Sequence, residues 1–260
     1  MKRGIVMNIN ELKNLWIEEE NKTFKWWDFS YLKGRWADEE LPWDYEKILK
    51  SYLKPEYKLL DMGTGGGEFL LTLNHPYKNT SVTESYDSNV KLCKKVLSPL
   101  GISVNKVEDD SKLPFSDNSF DMIINRHESY DIKEVSRILK PNGLFITQQV
   151  GGRNNEYLSN KLIKGFVPEF PKHDLKHCVQ EAKESSFEVL YKEEFFPYLR
   201  FYDVGAIVYF ANIIKWEFPG FSVETSFKEL CELYEELKYK PYIESLEHRF
   251  IMVCKNRKYV

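Results

Sequence analysis

The sequence predicts a doubly wound α/β fold, in which helices cover both faces of a seven-stranded, mostly parallel sheet. Two observations lead to this prediction. From Leu59 onward, short apolar runs alternate with amphipathic helical runs, which is the pattern of successive βαβ units. Several of the short runs, such as SFDMIINR from Ser119, are almost continuously apolar, as strands buried on both faces of a parallel sheet are.

The N-terminal region precedes this alternation and has a different character. Residues 10 to 50 have helical spacing and hold a cluster of tryptophans at Trp26, Trp27, Trp36 and Trp43. We therefore interpret residues 1–50 as a helical, aromatic-rich arm or cap, and residues 51–260 as the main domain. Such aromatic side chains either pack on the main domain or close over a substrate, and both interpretations stay open.

The main domain then supplies strands and helices in turn. The predicted strands are YKLLDM, TSVTES, ISVNKVE, SFDMIINR, LFITQQV, FEVLYKEEFF and HRFIMVCK. The predicted helices between them include GEFLLTLN, SNVKLCKKVL, DIKEVSRILK and DLKHCVQEAKESS, and PNG is predicted to form a turn. A helical insertion, roughly residues 203–240, separates the last two strands and contains VGAIVYFANIIKW and SFKELCELYEELK.

Composition excludes several classes of protein. The net charge is −3 and no long basic block occurs, so we expect no nucleic-acid partner. No apolar run approaches the ~20 residues of a membrane span, and no secretory signal is recognisable, so we expect a cytoplasmic protein without a membrane partner. The four cysteines are dispersed and form no CxxC pair, which argues against a zinc site. The oligomeric state stays open.

The most informative stretch is LLDMGTGGGEFLL, from Leu59 to Leu71. An apolar run, a group of glycines and a second apolar run predict a strand, a tight turn and a helix. A phosphate-binding P-loop is excluded, because no Gly-Lys-Ser/Thr follows the glycines. The dinucleotide fingerprint also fails, because Glu68 stands where its third glycine is required.

Charge narrows the choice of ligand. Asp61 and Glu68 flank the glycines and would repel a pyrophosphate, whereas a cationic ligand would be attracted. S-adenosylmethionine (SAM) is such a ligand, since it has a sulfonium, an ammonium and no phosphate. Glu84 ends the second predicted strand, where an acid can bind ribose hydroxyls, and Asp109 and Asp110 follow the third, where they can accept from an adenine amino group.

The motifs taken together resemble those of class I SAM-dependent methyltransferases. The resemblance rests on LLDMGTGGGEFL, VTES, DDSKLPFSDNSFDMIINRHES and EVSRILKPNGLFITQQV, within about residues 55 to 150. It is strongest to a bacterial group that is similar to the quinone- and biotin-pathway methyltransferases. It implies a Rossmann-like fold, with Asp61, Gly63 and Gly65 against the methionine part of SAM.

The same resemblance implies that Glu84 binds the ribose, that Ser85 lies beside the adenine and that Asp109 binds its amino group. The full predicted cofactor set is Asp61, Gly63, Thr64, Gly65, Gly67, Glu84, Ser85, Asp109, Asp110 and Asn125. One departure is the absence of an Asn/Asp-Pro-Pro-aromatic motif after the fourth strand, where NRHE stands. This departure argues against methylation of base amino groups.

The chemistry of methyl transfer suggests few catalytic groups. An acceptor hydroxyl or acidic carbon can need a base, and His127 is the candidate, with Glu128 either orienting it or lying on the surface. The alternative, that His127 only binds backbone or the SAM carboxylate, stays open. Predicted substrate contacts are Arg126, Gln148, Arg153 and Trp43.

These observations predict a SAM-dependent methyltransferase that acts on a small-molecule acceptor without a metal ion. A nicotinamide oxidoreductase is disfavoured by the missing third glycine. Two further alternatives stay open, namely a SAM-binding module without catalysis and an RNA methyltransferase. The sequence identifies neither the acceptor nor whether an oxygen, nitrogen or carbon atom is methylated.

Overall fold

The computed structural model describes residues 8–24 and 28–258. Trp26 and Trp27, which belong to the predicted arm, lie outside these ranges.

The chain forms two compact units. The large-sheet unit contains Leu41–Gly151, Lys172–Phe195 and Arg249–Val260. The small-sheet unit contains Met1–Glu40, Gly152–Pro171 and Phe196–His248. From the sequence we predict a boundary at residue 50 between an N-terminal arm and the main domain, and this boundary stays a prediction.

Strands and helices are numbered along the chain. The strands are β1 (Trp36–Asp38), β2 (Leu59–Met62), β3 (Thr80–Glu84), β4 (Ser103–Lys106), β5 (Phe120–Arg126), β6 (Leu139–Val150), β7 (Phe187–Phe195), β8 (Tyr198–Phe201), β9 (Ile243–Leu246) and β10 (Arg249–Asn256). The helices are α1 (Ile9–Glu20), α2 (Tyr45–Tyr52), α3 (Glu68–Thr72), α4 (Asp87–Val96), α5 (Ile132–Ile138), α6 (Glu156–Leu162), α7 (Leu175–Glu184), α8 (Val204–Ile213) and α9 (Phe227–Glu236).

The large sheet has the strand order β4-β3-β2-β5-β6-β10-β7. Strands β2 to β6 pair in parallel, and β10 lies antiparallel between β6 and β7. The predicted seven-stranded, mostly parallel sheet is therefore confirmed. Because parallel strands end at the same edge, the residues after β2, β3 and β5 are brought together there.

Helices cover both faces of this sheet. Side chains alternate between the two faces along each strand, so the central strands contribute apolar side chains to both cores. On β2, Leu59 packs with the core that includes α2 and α4 residues, whereas Leu60 packs with the core that includes α5 and α7 residues. On β5, Ile123 and Ile124 divide between the same two cores. This alternation explains why the strand sequences are apolar throughout.

One boundary differs from the sequence prediction. Helix α5 ends at Ile138 and β6 begins at Leu139, so the predicted PNG turn lies within the first part of a long strand. The pairing of β6 with β5 shifts register there, and Asn142 takes a left-handed φ of 63°. The turn chemistry thus produces an irregularity in the strand and does not separate two elements.

The small-sheet unit has its own core. Its antiparallel sheet has the order β1-β8-β9, and α8, which is buried along most of its length, packs in the centre with Trp16, Phe201 and Phe218. The predicted insertion helices are confirmed as α8 and α9. Strands β1, β8 and β9 were missed, because runs of three or four residues such as WAD and YLRF give too short a pattern.

Candidate SAM-binding site

The glycine loop between β2 and α3 is fixed to the neighbouring strand β3. The amide nitrogens of Gly63 and Thr64 both donate to the carbonyl oxygen of Thr83, at 3.1 and 3.2 Å. Gly63, Gly65 and Gly67 all have positive φ values, which a residue with a Cβ rarely adopts. The sequence therefore forms a loop whose backbone is exposed to a ligand and whose position is set by the sheet.

Glu84, at the end of β3, is the side chain that completes this loop. One carboxylate oxygen accepts from the amide of Gly65 at 2.9 Å, and the other accepts from the amides of Ser85 and Tyr86 at 3.0 and 3.2 Å. The side chain is buried. A buried carboxylate needs such hydrogen bonds, and these three donors keep it at the strand end where a ribose would bind.

Further carboxylates lie close to the loop. Burial raises the pKa of Asp61 to about 7. The negative charge of Glu84 also raises this pKa, whereas the positive charge of Arg126 lowers it. Burial also raises the pKa of Glu128, with Glu84 and Asp110 adding to the effect. These carboxylates are near enough to oppose one another's ionisation, so the site favours a positive ligand.

Glu128 lies directly over the glycine loop. A Cβ built on Gly63 would stand only 2.4 Å from Glu128 Cγ. Ser129 links Glu128 to the loop that follows β4. Its hydroxyl donates to Asp110 Oδ2 at 2.5 Å and lies 3.4 Å from Glu128 Oε1. Asp110, Glu128 and Gly63 thus border one region.

The other predicted cofactor residues differ in their surroundings. Asp109 is exposed and accepts from the amide and hydroxyl of Ser111, which lower its pKa. Ser85 is also exposed. The hydroxyl of Thr64 is buried beside Asp61, where its hydrogen bond to the carboxyl lowers the pKa of that residue.

A buried polar network lies at the ends of β5 and β6. Asn125 Oδ1 accepts from Gln149 Nε2 at 2.6 Å and from the hydroxyl of Thr147 at 3.0 Å. Tyr45 donates through its hydroxyl to the carbonyl oxygen of Asn125 at 3.0 Å. The network fixes the side chain and the carbonyl group of Asn125, and with them the end of β5.

A second chain of hydrogen bonds runs from Trp43 through Gln148 to His127. Trp43 Nε1 donates to Gln148 Oε1 at 2.8 Å, and Gln148 Nε2 lies 3.0 Å from His127 Nε2. Because an indole N–H can only donate, the amide group of Gln148 must direct its NH₂ at His127. His127 Nε2 is therefore the acceptor, and the proton of the neutral ring is on Nδ1.

His127 has an unusual backbone as well. Its φ is 61°, in the left-handed region, and its amide donates to the carbonyl oxygen of Gln148 at 2.8 Å. The protein around the ring desolvates its charged form and so lowers its pKa, and the positive charges of Arg249 and Arg126 lower it further. The ring is thus neutral at neutral pH.

The predicted substrate arginines fall in different places. Arg126 is exposed at the end of β5, with its guanidinium carbon 4.2 Å from the centre of the Phe69 ring. Arg153 lies in the small-sheet unit, where it pairs with Glu156 at 3.1 Å and its guanidinium carbon lies 5.3 Å from the centre of the Phe196 ring. The substrate roles of both residues stay predictions.

Sequence reasoning missed three neighbours of the site, namely Phe69, Ser129 and Arg249. The signal for Arg249 was available, because it begins β10, and the first residue of an antiparallel strand lies at the edge where the parallel strands end. Phe69 and Ser129 gave no such signal, since an apolar residue opening a helix and a serine in a loop are both ordinary.

The loop fits the chemistry of SAM. The buried acids Asp61 and Glu84 suit a ligand with positive charge and hydroxyl groups. Within the described residues, no group of three or more His, Cys, Asp or Glu side chains is arranged to hold a metal ion. The metal-independent reaction stays a prediction.

Comparison with known proteins gives the family of this region. Residues 60–147 match the family model described as a methyltransferase domain. This region of the chain is a methyltransferase domain. The matched region includes the glycine loop, Glu84, Asp109 and Glu128. The resemblance to methyltransferases inferred from the sequence is confirmed, and the bacterial subgroup stays a prediction.

Solved structures share the fold of this methyltransferase domain. The chain is similar to a protein from Bacillus halodurans described as a candidate methyltransferase (15% identity, TM-score 0.55) and to the YcgJ protein of Bacillus subtilis (16% identity, TM-score 0.55). Each alignment covers 83% of this chain and 99% of the other. A protein of unknown function from Deinococcus radiodurans aligns over 85% of this chain and 92% of its own, with 14% identity and a TM-score of 0.51. No curated protein has a sequence significantly similar to this chain.

In residues 8–24 and 28–258, no helix is both long and apolar enough to cross a membrane.

Proposed function

We propose that the methyltransferase domain binds SAM at the glycine loop and transfers its methyl group to a small-molecule acceptor. One observation supports this most strongly, namely the group of acids around a loop of exposed backbone. Asp61 and Glu84 are buried beside the loop, and Glu128 and Asp110 border it. Burial raises the pKa of Asp61 to about 7, so the protein without ligand holds this carboxyl at a cost that a cation would offset.

The charges decide between the possible nucleotide ligands. A diphosphate beside these carboxylates would meet several negative charges in a region of low dielectric, where repulsion is strong. SAM has no phosphate, and its sulfonium and ammonium groups would be attracted. When bound, SAM supplies an electrophilic methyl group. The protein's contribution is to hold the acceptor in line and to exclude water, which can lower a barrier by several kcal/mol.

The small-molecule acceptor is supported by composition. A net charge of −3 does not suit a polyanion such as RNA, and the sequence lacks the motif of enzymes that methylate base amino groups. We further propose that the protein acts in the cytoplasm of a bacterium without a metal ion. The dispersed cysteines support this setting.

Two measurements test the proposal. Calorimetry should show that SAM and its demethylated product bind and that NADH does not. Incubation with SAM and a small-molecule extract should then yield products heavier by one CH₂. Binding without any transfer would favour a SAM-binding module, and label incorporated into RNA would favour an RNA methyltransferase. The absence of SAM binding would overturn the proposal.

A further inference from the structure

Arg126 differs from five other arginines among the described residues, which each form an ion pair. Those with a carboxylate within ion-pair distance are Arg35, Arg137, Arg153, Arg200 and Arg257. Within the described part of the chain, Arg126 has no carboxylate at that distance, although it lies near enough to Asp61 to lower that residue's pKa. The residue is exposed, and its guanidinium carbon lies 4.2 Å from the centre of the Phe69 ring, a contact that still allows a guanidinium to donate hydrogen bonds.

His127, the next residue, presents a hydrogen-bond donor. Its Nε2 accepts from Gln148, which Trp43 holds in one orientation, so the remaining ring nitrogen, Nδ1, has the proton. A ring whose acceptor nitrogen is already used is poorly placed to remove a proton from an acceptor. The same ring can donate to an oxygen that needs no deprotonation.

Glu128 is the other candidate base near this point, and its position favours the cofactor. Its side chain packs on Gly63, and Glu84 and Asp110 are the charges that raise its pKa. The edge of the sheet thus holds groups of both charges, and Arg126 lies near both Asp61 and His127. Acids surround the glycine loop, and Arg126 and Arg249 lie beside His127.

We propose that the acceptor is a carboxylate, which the guanidinium of Arg126 and the Nδ1–H of His127 hold for methylation to a methyl ester. This inference rests on the proposed function. A carboxylate is ionised at neutral pH and needs no base. One carboxylate oxygen forms the new bond to the methyl carbon while the carbon–sulfur bond breaks. The electron pair of that bond passes to sulfur, the opposite charges of donor and acceptor are neutralised, and no proton is transferred.

A binding experiment tests the subsite without the natural acceptor. Benzoate and its neutral analogue benzamide are titrated into the full-length protein saturated with S-adenosylhomocysteine, and the ¹⁵N signals of the Arg126 side chain and the His127 ring are followed. Benzoate should shift both signals and benzamide should shift neither. An equal response to the two compounds, or no response to benzoate, would overturn the proposal.

Two variants separate the subsite from the cofactor site. At about pH 8.5, where Asp61 stays ionised after the Arg126 charge is removed, Arg126→Gln should weaken benzoate binding about tenfold or more, because a charge-assisted pair is lost, and should leave S-adenosylhomocysteine affinity within about twofold. Arg200→Gln is the control, since the Arg200 guanidinium also lies over an aromatic ring, that of Tyr198, but belongs to the small-sheet unit. If Arg126→Gln weakens S-adenosylhomocysteine binding as strongly as benzoate binding, Arg126 holds the cofactor and the proposal is wrong.

The products give an independent test. Methyl-labelled SAM is incubated with the protein and a small-molecule extract, and the products are treated with mild alkali. Methyl esters should release the label as volatile methanol, whereas label that stays on nitrogen, carbon or an ether oxygen would contradict the proposal. If no label is transferred, the benzoate titration alone decides. A protein that fails to bind S-adenosylhomocysteine refutes the proposed function itself, which is a different outcome.

Discussion

The carboxylate of Glu84 accepts a hydrogen bond of 2.9 Å from the amide of Gly65, so the end of β3 holds the glycine loop that follows β2. The residue predicted to bind the ribose therefore also shapes the loop. Its other oxygen is used by the amides of Ser85 and Tyr86. Loss of Glu84 should affect both the folded loop and the affinity for cofactor.

We expect Glu84→Gln and Glu84→Ala to differ in a defined way. The glutamine keeps one acceptor oxygen, loses the charge and turns its NH₂ group toward some of the backbone donors, so SAM affinity should fall by about 1.5–3 kcal/mol while stability falls less than in the alanine variant. The alanine also leaves three backbone donors without their acceptor, so the free energy of unfolding should fall by about 1–3 kcal/mol as well. Calorimetry and denaturant titration measure the two effects.

The control for this prediction is Glu108→Gln. Glu108 lies near the end of the neighbouring strand β4 and forms a surface ion pair with Lys106. Its replacement should change neither quantity appreciably, since exposed pairs contribute little. Unchanged SAM affinity in Glu84→Gln would remove the assignment of Glu84 to the cofactor.

The pKa of Asp61 predicts that cofactor binding releases protons. Burial raises this pKa to about 7 in the protein without ligand, and a cation beside the carboxylate would lower it again. At about pH 6.5, SAM binding should therefore release part of a proton. Calorimetry in two buffers with different heats of ionisation should give different apparent enthalpies, and the difference should vanish in Asp61→Asn.

The same shift determines how stability depends on pH. The folded-state pKa of Asp61 lies above its unfolded value, so the folded protein binds more protons between about pH 4 and pH 7. The contribution of Asp61 is fully present below that window and is lost as pH rises through about 7. Asp61→Asn should therefore flatten the decrease in stability across this window, and an unchanged slope would contradict the assignment.

How much of this could be predicted depended on the length of each pattern. The large sheet was predictable because its strands are apolar throughout and alternate with helices. The glycine loop was predictable because apolar runs stand on both sides of the glycines. The link from Trp43 to His127 was not, because 84 residues separate them and Gln148, which joins them, is an ordinary strand residue. Hydrogen-bond direction, here set by an indole N–H, has no signature in sequence.

Gly63 predicts a sharp difference between two glycine substitutions. Gly63 and Gly101 both have left-handed φ values, of 66° and 95°. A Cβ on Gly63 would stand 2.4 Å from Glu128 Cγ, whereas a Cβ on Gly101 would meet nothing within 4 Å. Both alanine variants should lose about 1 kcal/mol of stability from backbone strain. Gly63→Ala alone should also displace Glu128 and reduce SAM affinity, which calorimetry can measure, and equal affinities in the two variants would show that this approach has no role in binding.

The small-sheet unit offers a test of what holds its N-terminal part to α8. Arg35 and Asp203 form a bidentate ion pair, with Nη2 to Oδ1 at 2.5 Å and Nε to Oδ2 at 2.9 Å, and Asp203 Oδ1 also accepts from the amide of Ala206 as the N-cap of α8. Glu19 is a second partner of Arg35, at 3.3 Å. The hydrogen bond from Asp203 raises the pKa of Arg35.

We expect Asp203→Ala to lower the free energy of unfolding by about 2–4 kcal/mol, because a helix cap and a charge-assisted pair are lost together. Asp203→Asn keeps a good capping residue and loses only the charge, so its cost should be about half as large. Asp44→Ala is the matched control, since Asp44 caps α2 through the amide of Lys47 and forms no comparable ion pair in the described structure, and it should cost about 1 kcal/mol. Denaturant unfolding of the three variants separates the contributions. If Asp203→Ala costs no more than Asp44→Ala, the pair with Arg35 adds nothing to stability, and the packing of Trp16 and Phe201 in the core must hold this unit together without it.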